Sequence, residues 1–120
     1  MQRGDLERRT KKFAVDVIVF SEELKPGRAN DVIARQMIRS ASSIGANYRE
    51  AARAESRDDF IHKLNLCSKE AAETEYWLEL LADVRPNPAI APLLQEANEL
   101  LRILTSSVKT ARTNRRSPPS

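Results

Sequence analysis

Apolar residues in the stretch 56–84, SRDDFIHKLNLCSKEAAETEYWLELLADV, recur at alternating steps of four and three: Phe60, Leu64, Cys67, Ala71, Leu78 and Leu81, with Thr74 in the gap. That spacing places them on one seam of a single helix about 40 Å long, and such a seam is stable in water only against partner helices. Ser56 and Asp59 make a short version of a capping box, in which the serine oxygen accepts from an amide left orphaned at the helix start. A second row, Leu66, Glu70, Glu73, Trp77, Leu80 and Val84, is apolar at its ends and carboxylate in the middle. A helix patterned this way has more than one neighbour.

The rest of the chain supplies the neighbours. A first helix is predicted over residues 6–24, stopped by Pro26 and Gly27, with Phe13, Val17, Phe20 and Leu24 as its seam. Ala14, Val15, Ile18 and Val19 make the same segment apolar almost all round, leaving Asp16 nearly alone. Two readings fit this: an ordinary thick core stripe, or coverage by another subunit that makes Val15, Ile18 and Val19 a candidate oligomer interface. A second helix is predicted over 31–54, capped by Asn30, with Ile33, Met37, Ala41, Ile44, Tyr48 and Ala52 inside. Its centre carries Ser40, Ser42, Ser43 and Gly45, and a glycine there costs about 1 kcal/mol relative to alanine. Close packing of another helix on a strip formed by Ala41 and Gly45 offsets that cost, and is preferred to a kink because no proline interrupts the period.

After the turn Arg85-Pro-Asn-Pro88, a fourth helix is predicted over 92–111 with Pro92 in its first turn. Leu94, Ala97, Leu101, Leu104 and Val108 repeat the four-three seam, widened by Leu93 and Leu100. Short connections between four helices give an all-α fold, an antiparallel up-down-up-down four-helix bundle over residues 1–108. Residues 109–120 have no hydrophobic period and end in Pro118 and Pro119. The expectation is a basic, disordered tail with no packing role.

Enzymatic classes fare poorly. A di-iron site in a bundle asks for paired Glu-x-x-His motifs, whereas His62 is the one histidine and its nearest carboxylate partner by spacing is Asp59. The three glycines are scattered, so no phosphate loop forms. Cys67, the single cysteine, sits on an apolar seam and reads as a small core residue. Glu70, Glu73, Glu75 and Glu79 suit a solvated face or an interhelical ion-pair network better than acid–base chemistry. No catalytic residue, cofactor or metal is expected. The charged N-terminus and the absence of about 20 consecutive apolar residues predict a cytoplasmic protein with no membrane span.

Charge is more informative in its placement than in its sum. The net value is +3, and Lys109, Arg112, Arg115 and Arg116 more than account for it. A second basic group is Arg8, Arg9, Lys11 and Lys12. These eight are candidate phosphate contacts, which oligomerisation would multiply; the alternative is that they are solubilising helix ends. No base-reading motif accompanies them. The expectation is a non-enzymatic oligomeric adaptor with RNA or DNA affinity independent of sequence, the alternative being a protein-binding scaffold without nucleic acid. In the Ser43–Gly45 segment and just beyond, Asn47 and Glu50 fall near the edge of the buried face. They are expected in a buried or subunit-boundary polar network with Arg39 or a residue of the third helix.

The order of several segments also carries a family likeness. FAVDVIVFSEEL is followed by RQMIRSASSIGANYREAA, then by DFIHKL, then by KEAAETEYWLEL. This series resembles bacterial four-helix-bundle proteins first noticed as products of intervening sequences in large-subunit ribosomal RNA genes. Its most specific part is Ser43-Ile-Gly-Ala-Asn47 with Glu50, followed by the Glu-rich segment around Tyr76-Trp77-Leu78. The resemblance implies an up-and-down bundle assembled as a homo-oligomeric ring, typically of five. It also implies kinship with accessory proteins of diversity-generating retroelements, which associate with reverse transcriptase and nucleic acid. It brings no enzymatic activity. Two features depart from the family pattern: Tyr48-Arg49-Glu50 stands where Ile-Ala-Glu is usual, and the basic C-terminal segment lies outside it.

Overall fold

The computed structural model describes residues 3–116, and side chains from residue 4 to residue 114. Four helices follow in order: α1 (Arg3–Glu22), α2 (Arg28–Ala52), α3 (Arg57–Val84) and α4 (Ile90–Arg116). They form an antiparallel bundle in which α1 packs on α2, α2 on α3, α3 on α4, and α4 back on α1 along the thinnest of the four seams. The result is a rod of 56 × 21 × 21 Å. Among the described residues no helix is long and apolar enough to cross a membrane.

The core runs the length of the rod and is built from one residue per turn of each helix. Leu6, Phe13, Val17 and Phe20 of α1 meet Ile33, Met37, Ala41, Ile44, Tyr48 and Ala51 of α2. α3 contributes Ile61, Leu64, Cys67, Ala71, Leu78 and Leu81, and α4 contributes Ile90, Leu93, Ala97, Leu100, Leu104, Val108 and Ala111. The seams are those of the sequence with shifts of one residue: Ile61 replaces Phe60, Ala51 replaces Ala52, and Leu93 and Leu100 replace Leu94 and Leu101, which are half-buried flanks. Where a stripe is two residues wide, its period cannot say which edge is deeper. Burial holds the Cys67 thiol well above its ordinary range, at about 12, and its Sγ donates to the Ile44 carbonyl at 3.5 Å. It is a neutral core group that ties α3 to α2.

Helix ends differ more than helix faces. Ser56 caps α3, its Oγ accepting from the Asp59 amide at 3.0 Å. Ser56→Ala is expected to cost about 1 kcal/mol in chemical unfolding, with Ser56→Asp close to wild type. α2 begins earlier than Asn30 indicates: Gly27 occupies the cap position, and its carbonyl accepts from the Asp31 amide at 2.8 Å. Asn30 lies within the first turn, buried, with Nδ2 donating back to the Lys25 carbonyl at 2.9 Å. It fastens the α1–α2 turn instead of capping α2.

α1 reaches back to Arg3 and stops at Glu22, where Glu23 and Leu24 amides bond to the Phe20 and Ser21 carbonyls in a tightened last turn. Ahead of α4, the Asn87 Oδ1 accepts from the Ala89 amide at 2.9 Å and the Asn87 carbonyl from the Ile90 amide at 3.0 Å. The helix thus starts two residues before Pro92. It then continues through Arg116, past the point where fraying was expected, and Ala111 is buried in the core. Lys109 and Arg112 therefore stand on regular helix; residues 117–120 of the expected tail lie outside those described.

Candidate nucleic-acid interface

The eight basic residues divide by what surrounds them. Arg8, exposed, is paired with Asp5 one turn away. Lys12 donates to Asp16 at 2.8 Å, and this hydrogen bond raises its pKa. Arg9 is committed more deeply: Nε and Nη2 each reach Glu96 at 2.7 Å, and Nη2 also reaches Glu99 at 2.6 Å. The hydrogen bond to Glu96 raises the guanidinium pKa against the opposing effect of burial. A planar fork gripping one carboxylate with both nitrogens is a positioning device. Arg9 clamps α1 to α4 along their thin seam and is not available to phosphate.

Lys11, Lys109 and Arg112 are exposed and make no ion pair among the described residues. Lys11 lies along the groove between α1 and α2, shared with Arg49, Ser42, Ala46 and Glu7. Lys109 and Arg112 line a groove between α3 and α4 with Asn65, Ser68, Thr105 and Thr113. The two basic groups thus serve different grooves. The backbone of Arg115 and Arg116 completes α4, and their side chains are outside those described.

Sequence reasoning missed Arg49, Asn65, Ser68, Thr105 and Thr113. Part of the signal was present: Thr105, Lys109 and Arg112 follow steps of four and three, as one helix face does. Which face of α3 lies opposite them was not legible.

The candidate oligomer residues form an exposed apolar strip. Val15 is 47% exposed, Ile18 36% and Val19 53%. On one side Val19 continues into a groove of about 330 Å³ with Phe20, Ala89, Pro92 and Leu93. On the other, Ala14 borders the α1–α2 groove beside Gly45 and Ala46. At Gly45 the helices nearly touch: a β-carbon there would lie 3.2 Å from Thr10 Oγ1.

The expected polar network resolves into separate pairs. Asn47 Nδ2 donates to the Ser43 carbonyl at 2.9 Å, and Ser43 Oγ to the Arg39 carbonyl at 2.8 Å, both within α2. Glu50 is exposed and accepts from Lys63 of α3 at 3.4 Å. The Arg39 side chain reaches neither Asn47 nor Glu50; its guanidinium crosses to Glu70, at 3.2 Å, and to Glu73 of α3, and Glu73 also accepts from the Trp77 indole at 2.9 Å. Asn47 and Glu50 are three residues apart, but one points along its own helix and the other across to α3. The Glu-rich face of α3 is thus an interhelical tie, and on its other side Glu75 accepts from Asn98 of α4 at 2.8 Å.

Comparison with known proteins gives the fold a lineage. Residues 5–106 match the family described as 23S rRNA-intervening sequence protein. The chain belongs to that family. A crystal structure from Bacteroides thetaiotaomicron, described as a protein of unknown function from the S23 ribosomal protein family, is 38% identical with a TM-score of 0.78. The match covers 87% of this chain and 98% of the Bacteroides one. No functionally curated protein matches the chain. The match to the 23S rRNA-intervening sequence family stops at residue 106, before Lys109 and Arg112. Both cations lie outside the matched span.

Proposed function

We propose that this member of the 23S rRNA-intervening sequence family is a non-enzymatic, cytoplasmic adaptor that works as a homo-oligomer and holds nucleic acid by its phosphates without reading sequence. The observation that carries the nucleic-acid part is the set of cations that make no ion pair among the described residues along two grooves of one rod, Lys11 with Arg49 and Lys109 with Arg112. Unpaired surface cations keep their charge available for counterion exchange with phosphate, whereas Arg8, Arg9 and Lys12 have theirs neutralised locally. Specificity for bases needs donors and acceptors set against base edges or aromatic platforms for stacking. Among the described aromatic residues only Tyr76 is largely exposed, which favours contact with the backbone.

Assembly rests on the strip Val15, Ile18 and Val19. Three adjacent apolar side chains flanked by grooves suit a helix from a second copy, and a ring built this way would repeat every cationic groove around its circumference. Light scattering after size exclusion is expected to give a multiple of the 13.6 kDa chain mass, five being the multiple that the family resemblance implies. Val19→Asp should shift that mass towards one chain without loss of helicity. A mass of one chain for the unaltered protein at micromolar concentration would contradict the oligomer. A strip that binds a different protein, on a chain with no nucleic-acid affinity, would establish the scaffold alternative.

A further inference from the structure

The groove between α3 and α4 has a composition unlike the rest of the surface. Its lining is Asn65 and Ser68 from α3, and Thr105, Val108, Lys109, Arg112 and Thr113 from α4. Two cations, an amide residue and three hydroxyl-bearing residues line one cleft, and no carboxylate is among them. Elsewhere on α3 the pattern is the opposite, since Glu70, Glu73 and Glu75 are each engaged by a partner from the neighbouring helices. The larger groove at the α2–α3 turn, about 610 Å³, brings Glu55 beside Arg57 and so has no net sign.

The second observation is at Ser68. Its Oγ is shut off from water and has no hydrogen-bond partner among the described residues. Serine in a helix ordinarily bonds back to the carbonyl four residues earlier, as Ser43, Thr74 and Ser107 do here. A buried hydroxyl without a partner is costly, and Ser68 is one of the residues that line the groove. Asn65, one turn away, also has no side-chain hydrogen-bond partner among the described residues. Donors are thus held in reserve where the cations converge.

We propose that this groove is a phosphate subsite for the backbone of a single nucleic-acid strand. Lys109 and Arg112 supply the charge, and Asn65, Ser68 and Thr105 donate to individual phosphodiester or sugar oxygens. The inference rests on the nucleic-acid reading of the protein and locates it. A cleft of about 480 Å³ between two packed helices has room for one backbone unit. Asn65, Ser68 and Thr105 lie within the family match and the two cations beyond it.

The test is anisotropy of a labelled, mixed-sequence single-stranded oligonucleotide titrated with the full-length protein across a salt series. Three double variants are compared, each checked for an unchanged melting midpoint. Lys109→Gln with Arg112→Gln should flatten the log affinity against log salt plot by about 1.4 for each engaged subunit, two contacts at about 0.7 each, and weaken binding about tenfold or more near 0.1 M salt. Asn65→Ala with Ser68→Ala should weaken binding severalfold with the slope unchanged. Arg35→Gln with Arg102→Gln removes the same charge from exposed positions outside the groove and should change the slope far less. Equal effects from the two charge-removing pairs, or no effect from the neutral pair, would overturn the subsite while leaving nucleic-acid binding in place. Failure of the unaltered protein to bind at all would remove both.

Discussion

Gly45→Leu is expected to lower the unfolding free energy by about 1–3 kcal/mol, although it replaces the poorest ordinary helix former with one of the best. The gain in helix propensity is a little under 1 kcal/mol. Against it stands the approach of α1: a β-carbon at residue 45 lies 3.2 Å from Thr10 Oγ1 and 3.5 Å from Thr10 Cβ. Thr10 cannot step aside, because it is fully buried and its hydroxyl donates to the Leu6 carbonyl at 2.8 Å. Leucine adds its branched end to the same contact and must separate α1 from α2. Gly45→Ala, with only the β-carbon to place, should come out near neutral, and Thr10→Ala in the same chain should relieve part of the leucine's cost. A melting midpoint for Gly45→Leu at or above that of the unaltered protein would mean that α1 yields freely and that close packing does not explain the glycine.

Thr74→Val should cost a comparable amount, about 1–3 kcal/mol, for a different reason. The Thr74 and Ser40 hydroxyls lie 2.8 Å apart between α3 and α2, and both side chains are fully buried. Thr74 Oγ1 is also 2.8 Å from the Glu70 carbonyl, whereas Ser40 has only a long 3.4 Å contact to the Met37 carbonyl. Valine keeps the shape of threonine but leaves the serine hydroxyl with only its long contact to the Met37 carbonyl in the core. Ser40→Ala should cost less, because Thr74 retains its bond to Glu70. The double variant should be more stable than Thr74→Val alone, since no buried hydroxyl is left without a partner. Costs that simply add would show that the two hydroxyls are independently satisfied.

These contrasts show what the sequence carries and what it leaves out. Helix number, type and order were legible because the four-three period of apolar residues survives in every segment, and the Ser56 cap was legible because its partner Asp59 is three residues away. Depth within a wide stripe was not legible: Phe60 and Ile61 are equally apolar, and only the position of α2 and α4 decides that Ile61 goes inside. Asn30 carries a cap-forming side chain, but Gly27, with extended backbone, takes the cap position and α2 starts before Asn30. The C-terminal part of α4 looked like a tail because Ala111 is its lone core residue beyond Val108 among the described residues, too little to register as a period. The α3–α4 groove is a long-range object, with Asn65 and Ser68 on one helix and Lys109 and Arg112 on another. No local pattern could have paired them, whereas the pairings within α1, Arg8 with Asp5 and Lys12 with Asp16, have the spacing of helix neighbours.

Extension of α4 also changes how the C-terminal charges are best tested. Cutting the chain after Val108 would remove Ala111 from the core together with Lys109 and Arg112, so a loss of binding after truncation would mix folding with charge. Point substitutions on the intact helix separate the two.

Whether this protein holds nucleic acid through its phosphates is decided most directly by titrating the whole chain into mixed-sequence RNA and DNA over a range of salt. Binding is expected at about 50 mM salt, with similar affinity for unrelated sequences of equal length and a log–log salt slope of several units, because each phosphate contact contributes about 0.7 for a single strand and the proposed ring would engage several together. No binding at that salt, or binding that ignores salt and depends strongly on sequence, would contradict the account.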